Sequence, residues 1–180
     1  MGKELKVDLN KLTSYPVLGK GVYGKVYKLN NRICVKVNKD LDVHIKEVEL
    51  YKRYENCSLF PKYYDSGENY IIMELIKGNS LRVYLDEGKV LNENICKQLV
   101  KMFEEGYQAG LMLNPNARHI ILTSVGRIRL VDIEDINKFS SARPFMLFNR
   151  LNKTGQKQAF LEYVKSCHKW LFDLWNSKKN

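Results

Sequence analysis

The 180-residue sequence predicts an α+β fold with two lobes, a β-rich N-terminal lobe of about residues 1–76 and a mainly helical C-terminal lobe of about residues 80–180. Apolar and polar residues alternate through much of 15–38, as they do in antiparallel strands. Beyond residue 78, apolar residues recur every three or four positions, as in helices that bury one face. With 44% apolar and 11% aromatic residues, the chain can build a core.

In the N-terminal lobe the sequence predicts three strands within 15–38, with a glycine-rich turn after the first and a tight turn at Asn30-Asn31 after the second. The two asparagines suit the positive φ angles of a hairpin turn. A helix is predicted over 42–55, followed by short strands near 63–65 and 70–73. We expect the connection to the second lobe at about 74–79.

In the C-terminal lobe Ser80 is placed to cap a short helix that runs through Leu85. A longer helix is predicted to end near Gln108, and the segments "HIILT" and "RIRLV" read as two short strands joined at 124–126. The end of the chain is predicted to be helical, because its apolar residues keep a 3.6-residue rhythm. These residues are Phe160, Val164, Cys167, Leu171 and Trp175.

The bulk properties limit the classes of function. The net charge of +10 can attract nucleic acid, anionic lipid or acidic proteins, but the lysines are spread along the chain, so nucleic-acid binding is a secondary hypothesis. The four cysteines and three histidines are scattered without the spacing of a zinc site. No run of 18 apolar residues or hydrophobic N-terminal signal is present, and we expect a cytoplasmic protein without a transmembrane segment.

The most informative motif is G-x-G-x-x-G, formed by Gly19, Gly21 and Gly24. In a dinucleotide-binding loop the glycines lead into a helix, whereas here they lead into "KVYKLNNRICVKV", which alternates like strands. A P-loop is excluded because no G-K-[ST] closes the motif. The pattern favours a glycine loop between two antiparallel strands that covers a nucleotide.

At this point the sequence resembles the protein-kinase superfamily. Val26 follows the third glycine by two residues, and "ICVKV" supplies Lys36 on the third strand, with Cys34 at the small-residue position beside adenine. The resemblance extends over about residues 15–135. It implies a bilobal kinase-like fold with an antiparallel N-terminal sheet and a reduced, mainly helical C-terminal lobe.

Family members pair this lysine with a glutamate on the following helix. Three glutamates are candidates. Glu47 shares an apolar helix face with Val43, Leu50, Tyr51 and Tyr54, whereas Glu49 lies among basic residues and Glu55 lies at the very end of the predicted helix. A carboxylate on an apolar face is costly unless it is paired. We therefore predict that Glu47 holds Lys36.

The segment "IIMEL" resembles the family's hinge, with Met73 at the back of the nucleotide pocket. The resemblance implies that backbone groups from Glu74 to Ile76 bind the adenine edge and that Ile121 belongs to the same pocket. Asp132 stands where the family places its Mg²⁺-binding aspartate, with Ile133 and Glu134 in place of Phe and Gly. Glu134 and Asp135 are alternatives to it or helpers.

The catalytic loop departs from the family pattern. Asn114 replaces the catalytic aspartate and His119 replaces the metal-binding asparagine. Asn116 replaces the loop lysine, with Arg118 nearby. No carboxylate lies between Gly106 and Val131, so no general base is available there; such a base contributes typically 10²–10⁴-fold to the rate. His119 can be a second metal ligand, a phosphate contact or simply a residue that leads into a strand.

The sequence after Asp132 shows no Ala-Pro-Glu element, and Ser140 and Ser141 lie in a remnant loop as candidate phosphate acceptors. This plan is similar to the small, truncated serine/threonine-kinase-like proteins of low-GC Gram-positive bacteria. The resemblance implies an ATP- and Mg²⁺-dependent kinase that phosphorylates a protein hydroxyl weakly, with an unidentified protein substrate. The alternative is a pseudokinase that regulates a partner; a third hypothesis is binding of DNA or an anionic membrane through the basic surface and the C-terminal helix.

Overall fold

The computed structural model describes residues 7, 9–132 and 143–177, with the side chains of residues 9 and 10 left out. The chain forms two compact units, Met1–Ile76 and Lys77–Asn180. The first carries a five-stranded antiparallel sheet and a helix, and the second is mainly helical with a small three-stranded sheet. This is the predicted α+β, kinase-like architecture.

The sheet of the first unit has the strand order β1-β2-β3-β5-β4. Its strands are β1 (Val17–Lys20), β2 (Gly24–Lys28), β3 (Ile33–Asn38), β4 (Tyr63–Ser66) and β5 (Tyr70–Glu74). A short 3₁₀ helix, Leu9–Ser14, precedes β1 and was not predicted. One sheet face packs against it through a core of Leu12, Tyr27, Val35 and Ile72.

Helix α1 (Leu41–Arg53) follows β3 directly. Asp40 caps its N-terminus, because the side chain accepts hydrogen bonds from the backbone N–H groups of Asp42 and Val43. The buried residues of α1 are His44, Glu47 and Tyr51. Glu47 and Tyr51 are buried and Glu49 is exposed, as the helix periodicity predicted, whereas the burial of His44 was not predicted. Helix α1 therefore presents a carboxylate and an imidazole inside the unit.

The turn between β2 and β3 corrects one expectation. Asn30 and Asn31 do not adopt positive φ; the one described non-glycine residue that does so is Asp132. Instead, Asn30 Oδ1 accepts hydrogen bonds from the backbone N–H groups of Arg32 and Ile33 at 2.8 and 3.0 Å. The side chain itself closes a loop that is longer than a two-residue hairpin turn.

The second unit begins with β6 (Gly78–Ser80), which pairs with the hairpin β7 (Ile120–Thr123) and β8 (Ile128–Leu130). Ser80 caps α2 (Leu81–Asp86) as predicted, and α3 (Glu93–Gln108) follows. The C-terminal helices are α4 (Phe145–Lys153), α5 (Lys157–Cys167) and α6 (Lys169–Asn176). Trp175 is buried against the rings of Phe103, Phe148 and Phe160, and these contacts join α3, α4, α5 and α6 in one core. None of the helices in the described ranges has the length and apolar character needed to cross a membrane.

Candidate functional site

One face of the five-stranded sheet collects most of the predicted nucleotide-binding residues of the first unit. Val26 pairs with Lys36, and Cys34 pairs with Met73. Because directly paired residues of antiparallel strands point to the same face, as do residues two apart on one strand, all four side chains share a face. It is opposite to the face that packs on the 3₁₀ helix.

An ion pair is buried on this face. Lys36 Nζ donates a 2.7 Å hydrogen bond to Glu47 Oε1, and the two side chains are only 9% and 0% exposed. The structure thus brings together the lysine and the glutamate that the sequence singles out. Removing one partner of such a pair costs about 3–5 kcal/mol, because the other charge stays buried alone.

Two further polar side chains contact this ion pair. Asn38 Nδ2 donates to Glu47 Oε2 at 3.0 Å and lies 3.4 Å from His44 Nδ1. The other ring nitrogen of His44, Nε2, lies 2.9 Å from the Gly67 carbonyl oxygen. Asn38 and His44 are 2% and 4% exposed, so the network is inside the unit.

Sequence reasoning missed Asn38 and His44. Asn38 lies two residues after Lys36 on the same strand, and His44 lies one helical turn before Glu47. Residues with those spacings share a strand face and a helix face respectively. This spacing was the available signal, since both are polar residues on faces that are otherwise buried.

The glycine loop between β1 and β2 has two kinds of glycine. A Cβ atom on Gly24 would lie 2.2 Å from the Val37 carbonyl oxygen, whereas a Cβ atom on Gly19 would have nothing within 4 Å and one on Gly21 only a backbone atom at 3.9 Å. Gly24 is therefore required by the packing of β2 on β3. The open backbone at Gly19 and Gly21 leaves room for a ligand to approach.

The end of β5 holds the predicted hinge residues. The backbone N–H of Glu74 donates to Lys62, and its side chain accepts from the Lys62 N–H. Leu75 donates to the Arg32 carbonyl, and Ile76, half-buried, ends the first unit. Beside them, burial and the nearby Glu74 carboxylate raise the pKa of the Cys34 thiol to about 12, so this thiol is neutral.

In the second unit the two predicted metal ligands lie together. The backbone of Val131 donates to His119, which brings His119 next to Asp132, with Nε2 and Oδ2 3.5 Å apart. Arg118 Nε donates to His119 Nε2 at 2.8 Å. Since arginine can only donate, that nitrogen carries a lone pair, and it lies near a carboxylate oxygen.

This pair fits a magnesium ion only in part. Mg²⁺ is commonly bound by one or two protein carboxylates and completes its shell with water and phosphate oxygens. Asp132 is suited to that role, whereas no group of three or more His, Cys, Asp or Glu side chains forms a metal cluster within the described ranges. Asp132 also has φ = 66°, a left-handed conformation that costs energy and is frequent at functional sites.

Asn114 is fully buried. Its Oδ1 accepts a 3.0 Å hydrogen bond from the backbone N–H of Met146, at the start of α4. The side chain thereby satisfies a helix N-terminus that has no capping side chain of its own. Ile121 is half-buried on β7, and the predicted residues Ile133, Glu134, Asp135, Ser140 and Ser141 lie outside the described residues.

Comparison with known proteins relates the chain to protein kinases. It is 29% identical over 92 residues to a Bacillus subtilis (strain 168) protein named "Putative serine/threonine-protein kinase YrzF"; the match covers 49% of this chain and 42% of that protein. It is 27% identical over 142 residues to ribosomal protein S6 kinase beta of Caenorhabditis elegans, covering 64% of this chain and 26% of that protein. The chain thus spans less than half the length of either relative. No family model matches it.

Proposed function

From this relationship to protein kinases, we propose that the chain binds ATP and transfers its γ-phosphate, at a low rate, to a serine or threonine hydroxyl of a protein. The observation that carries the proposal is the buried Lys36–Glu47 ion pair, on the sheet face that also holds Val26, Cys34 and Met73. A buried charge pair adds little to stability compared with apolar residues of the same size. A function for the lysine therefore accounts for it better than stability does.

Each residue has a definite role in this proposal. Gly19 and Gly21 let the loop approach the phosphates, Lys36 neutralises the α- and β-phosphates, and Glu47 orients Lys36. Val26, Cys34, Met73 and the backbone from Glu74 to Ile76 bind the adenine.

Asp132 would hold Mg²⁺, and His119 Nε2 would join it as a second ligand only after its lone pair is released by Arg118 Nε. When bound, the ion neutralises charge on the β- and γ-phosphates. No carboxylate base exists in the 106–131 segment, so the rate should be low, because a base contributes typically 10²–10⁴-fold.

The geometry of Asn114 favours a second candidate function, that of a pseudokinase which binds nucleotide and a partner protein without phosphotransfer. Asn114 is 0% exposed, and its oxygen is engaged by Met146. A side chain buried in this way has no free oxygen to orient an acceptor hydroxyl. Nucleotide binding is common to both candidates, and phosphotransfer separates them.

The deciding experiment measures the melting temperature with ATP, with and without Mg²⁺, for wild type, Lys36→Ala and the exposed control Lys39→Ala. Ligand at 100 times its Kd stabilises a binding protein by about 2.7 kcal/mol. We expect a Mg²⁺-dependent increase for wild type and Lys39→Ala, and none for Lys36→Ala. The ligand-induced increase is compared within each variant, because Lys36→Ala leaves Glu47 buried without its cation.

Phosphotransfer is then measured with radiolabelled ATP and casein as a generic acceptor. Incorporation that Lys36→Ala and Asp132→Asn abolish supports the kinase. Binding without incorporation supports the pseudokinase, and no ligand-induced increase at millimolar ATP refutes both.

A further inference from the structure

We propose that Asn38 and His44 are positioning residues that hold Glu47 in the orientation in which it pairs with Lys36. The inference rests on the proposed nucleotide-binding role of Lys36 and adds two residues to that site. It follows from the hydrogen-bond network that links the Gly67 carbonyl, His44, Asn38, Glu47 and Lys36.

The donors and acceptors of the network are determined by its ends. The Gly67 carbonyl can only accept, so His44 Nε2 carries the proton. In the neutral ring Nδ1 is then an acceptor, and it faces the Asn38 amide nitrogen at 3.4 Å. The Glu47 carboxylate can likewise only accept, so the Asn38 atom that faces it must be the amide nitrogen. Asn38 thus uses its two N–H groups on His44 and Glu47.

Each oxygen of Glu47 consequently has its own donor. Oε1 accepts from Lys36 at 2.7 Å and Oε2 accepts from Asn38 at 3.0 Å. Because the carboxylate is fully buried, Oε2 would lose a charge-assisted hydrogen bond if Asn38 were removed, and water could not replace it without opening the unit. The Glu47 side chain would then rotate away from Lys36 to find another donor for Oε2.

The remaining polar atom of the Asn38 side chain, Oδ1, lies beside Gly24 of the glycine loop without a hydrogen bond to it. Asn38 pairs with Gly24 across the sheet, and its Oδ1 lies 3.1 Å from where a Gly24 Cβ would be. That oxygen is buried, with no hydrogen-bond partner in the described part of the chain. A buried acceptor without a partner is costly, so the orientation of Asn38 is determined by Glu47 and His44 rather than by its oxygen.

The test begins with protein that contains no nucleotide. Acetylation of Lys36 by an N-hydroxysuccinimide ester is followed by mass spectrometry, with the exposed Lys39 of the same molecule as the internal reference. The variants are Asn38→Ala with its exposed control Asn31→Ala, and His44→Phe with His44→Gln. Glutamine can donate to Gly67 and accept from Asn38, whereas phenylalanine can do neither.

We expect Lys36 to be acetylated roughly ten- to a hundredfold faster in Asn38→Ala than in wild type, because Glu47 loses a charge-assisted hydrogen bond. In His44→Phe the increase should be roughly three- to tenfold, because the bond lost there is a neutral one between His44 and Asn38. His44→Gln should recover part of the difference, and Asn31→Ala should match wild type. ATP affinity, measured next, should fall by a similar factor in the same order.

An unchanged acetylation ratio, with only a lower melting temperature, would show that the network is merely structural and would overturn the inference. If wild type binds no ATP, the proposed function fails, yet the acetylation ratio still decides the positioning role. If Asn38→Ala does not fold, the comparison of His44→Phe with His44→Gln decides it.

Discussion

At the scale of single residues, Asn114 shows how a side chain predicted to stand at a catalytic position can serve the fold. The sequence pattern puts it in place of the catalytic aspartate of kinases, yet its oxygen accepts from the backbone N–H of Met146 at the N-terminus of α4. The first N–H groups of a helix lack partners within the helix, and Pro144, the residue before α4, provides no capping side chain. Asn114 provides that acceptor from a distant part of the chain.

We therefore predict that Asn114→Ala lowers the free energy of unfolding by about 1–3 kcal/mol, because a buried N–H loses its acceptor. Asn116→Ala is the matched control: Asn116 accepts from the backbone of Arg118 in an exposed turn, and its loss should cost under about 1 kcal/mol. Urea denaturation measures both. Equal stability of the two variants would contradict the helix-anchoring role.

The raised pKa of Cys34 predicts its reactivity. With a pKa of about 12, only about one molecule in ten thousand carries the thiolate at pH 8, and the thiolate is the nucleophile. Iodoacetamide should therefore modify the exposed Cys167 long before Cys34, and in urea both should react alike. Similar alkylation rates for Cys34 and Cys167 in native protein at pH 8 would contradict the raised pKa of Cys34.

The same shift links Cys34 to the pH dependence of stability. The folded state holds the Cys34 proton more tightly than the unfolded chain does, in which the thiol has its ordinary pKa of 9.0. The contribution to stability is therefore complete below pH 9.0 and is lost as the pH rises towards the folded-state pKa of about 12.

At the scale of secondary-structure elements, the glycine loop combines a structural requirement at Gly24 with the proposed approach of a ligand at Gly19. Gly24 lies where β2 meets β3, and Gly19 lies on β1 with open space around it. The glycines of one motif are thus required for different physical reasons, close strand packing at Gly24 and open space at Gly19. Alanine substitutions at the two positions should therefore have different effects.

Gly24→Ala should destabilise the protein by roughly 1–3 kcal/mol, because its methyl group would overlap the Val37 carbonyl. Gly19→Ala should leave the melting temperature nearly unchanged and weaken ATP binding, since the methyl group would occupy the space that the phosphates approach. Thermal unfolding with and without ATP measures both effects. A stable Gly24→Ala, or a Gly19→Ala that binds ATP as wild type does, would contradict this division.

The elements also show what the sequence alone could predict. The alternation of apolar and polar residues predicted strands β1 to β5, and the helical spacing of apolar residues and the Ser80 cap predicted α1 to α3. Local sequence patterns determine these elements. The 3.6-residue spacing of apolar residues continues through Cys167 and Leu171 and predicted one helix there. The structure has two helices, because α5 ends at Cys167 and α6 begins at Lys169, with His168 between them. Periodicity misses that break because both helices bury their apolar residues in one core. Helix α4 was missed because its start depends on a distant side chain, that of Asn114.

The same limit applies to the candidate site. Lys36 and Glu47 could be selected because a motif and a helix face each point to one residue. The spacing of Asn38 and His44 puts them on the same strand face and helix face, but their hydrogen bonds depend on strand register and on the position of the Gly67 carbonyl, which spacing does not give. A sequence motif identifies Lys36 more readily than the side chains that are hydrogen-bonded behind it.

At the scale of the whole molecule, the net charge of +10 must be weighed against the proposed nucleotide site. Binding of a polyanion depends on releasing counterions: a protein that makes 6–10 phosphate contacts loses about 10³–10⁵ in affinity between 50 and 200 mM salt. A nucleotide held by hydrogen bonds and apolar contacts on one sheet face depends less on salt, because only a few charges take part. Salt dependence therefore distinguishes a general basic surface from a nucleotide site.

Hydrogen exchange can locate these two kinds of binding in one experiment. We expect ATP with Mg²⁺ to slow exchange in peptides that cover 17–38 and 70–76, at both 50 and 200 mM salt, because the glycine loop and the end of β5 would be ordered by the ligand. A 20-base-pair DNA duplex should protect other basic segments at 50 mM salt and lose that protection at 200 mM. Lys36→Ala should remove the first pattern and leave the second. Salt-resistant protection by DNA, with no effect of ATP on 17–38, would instead make the basic surface the functional part of the molecule.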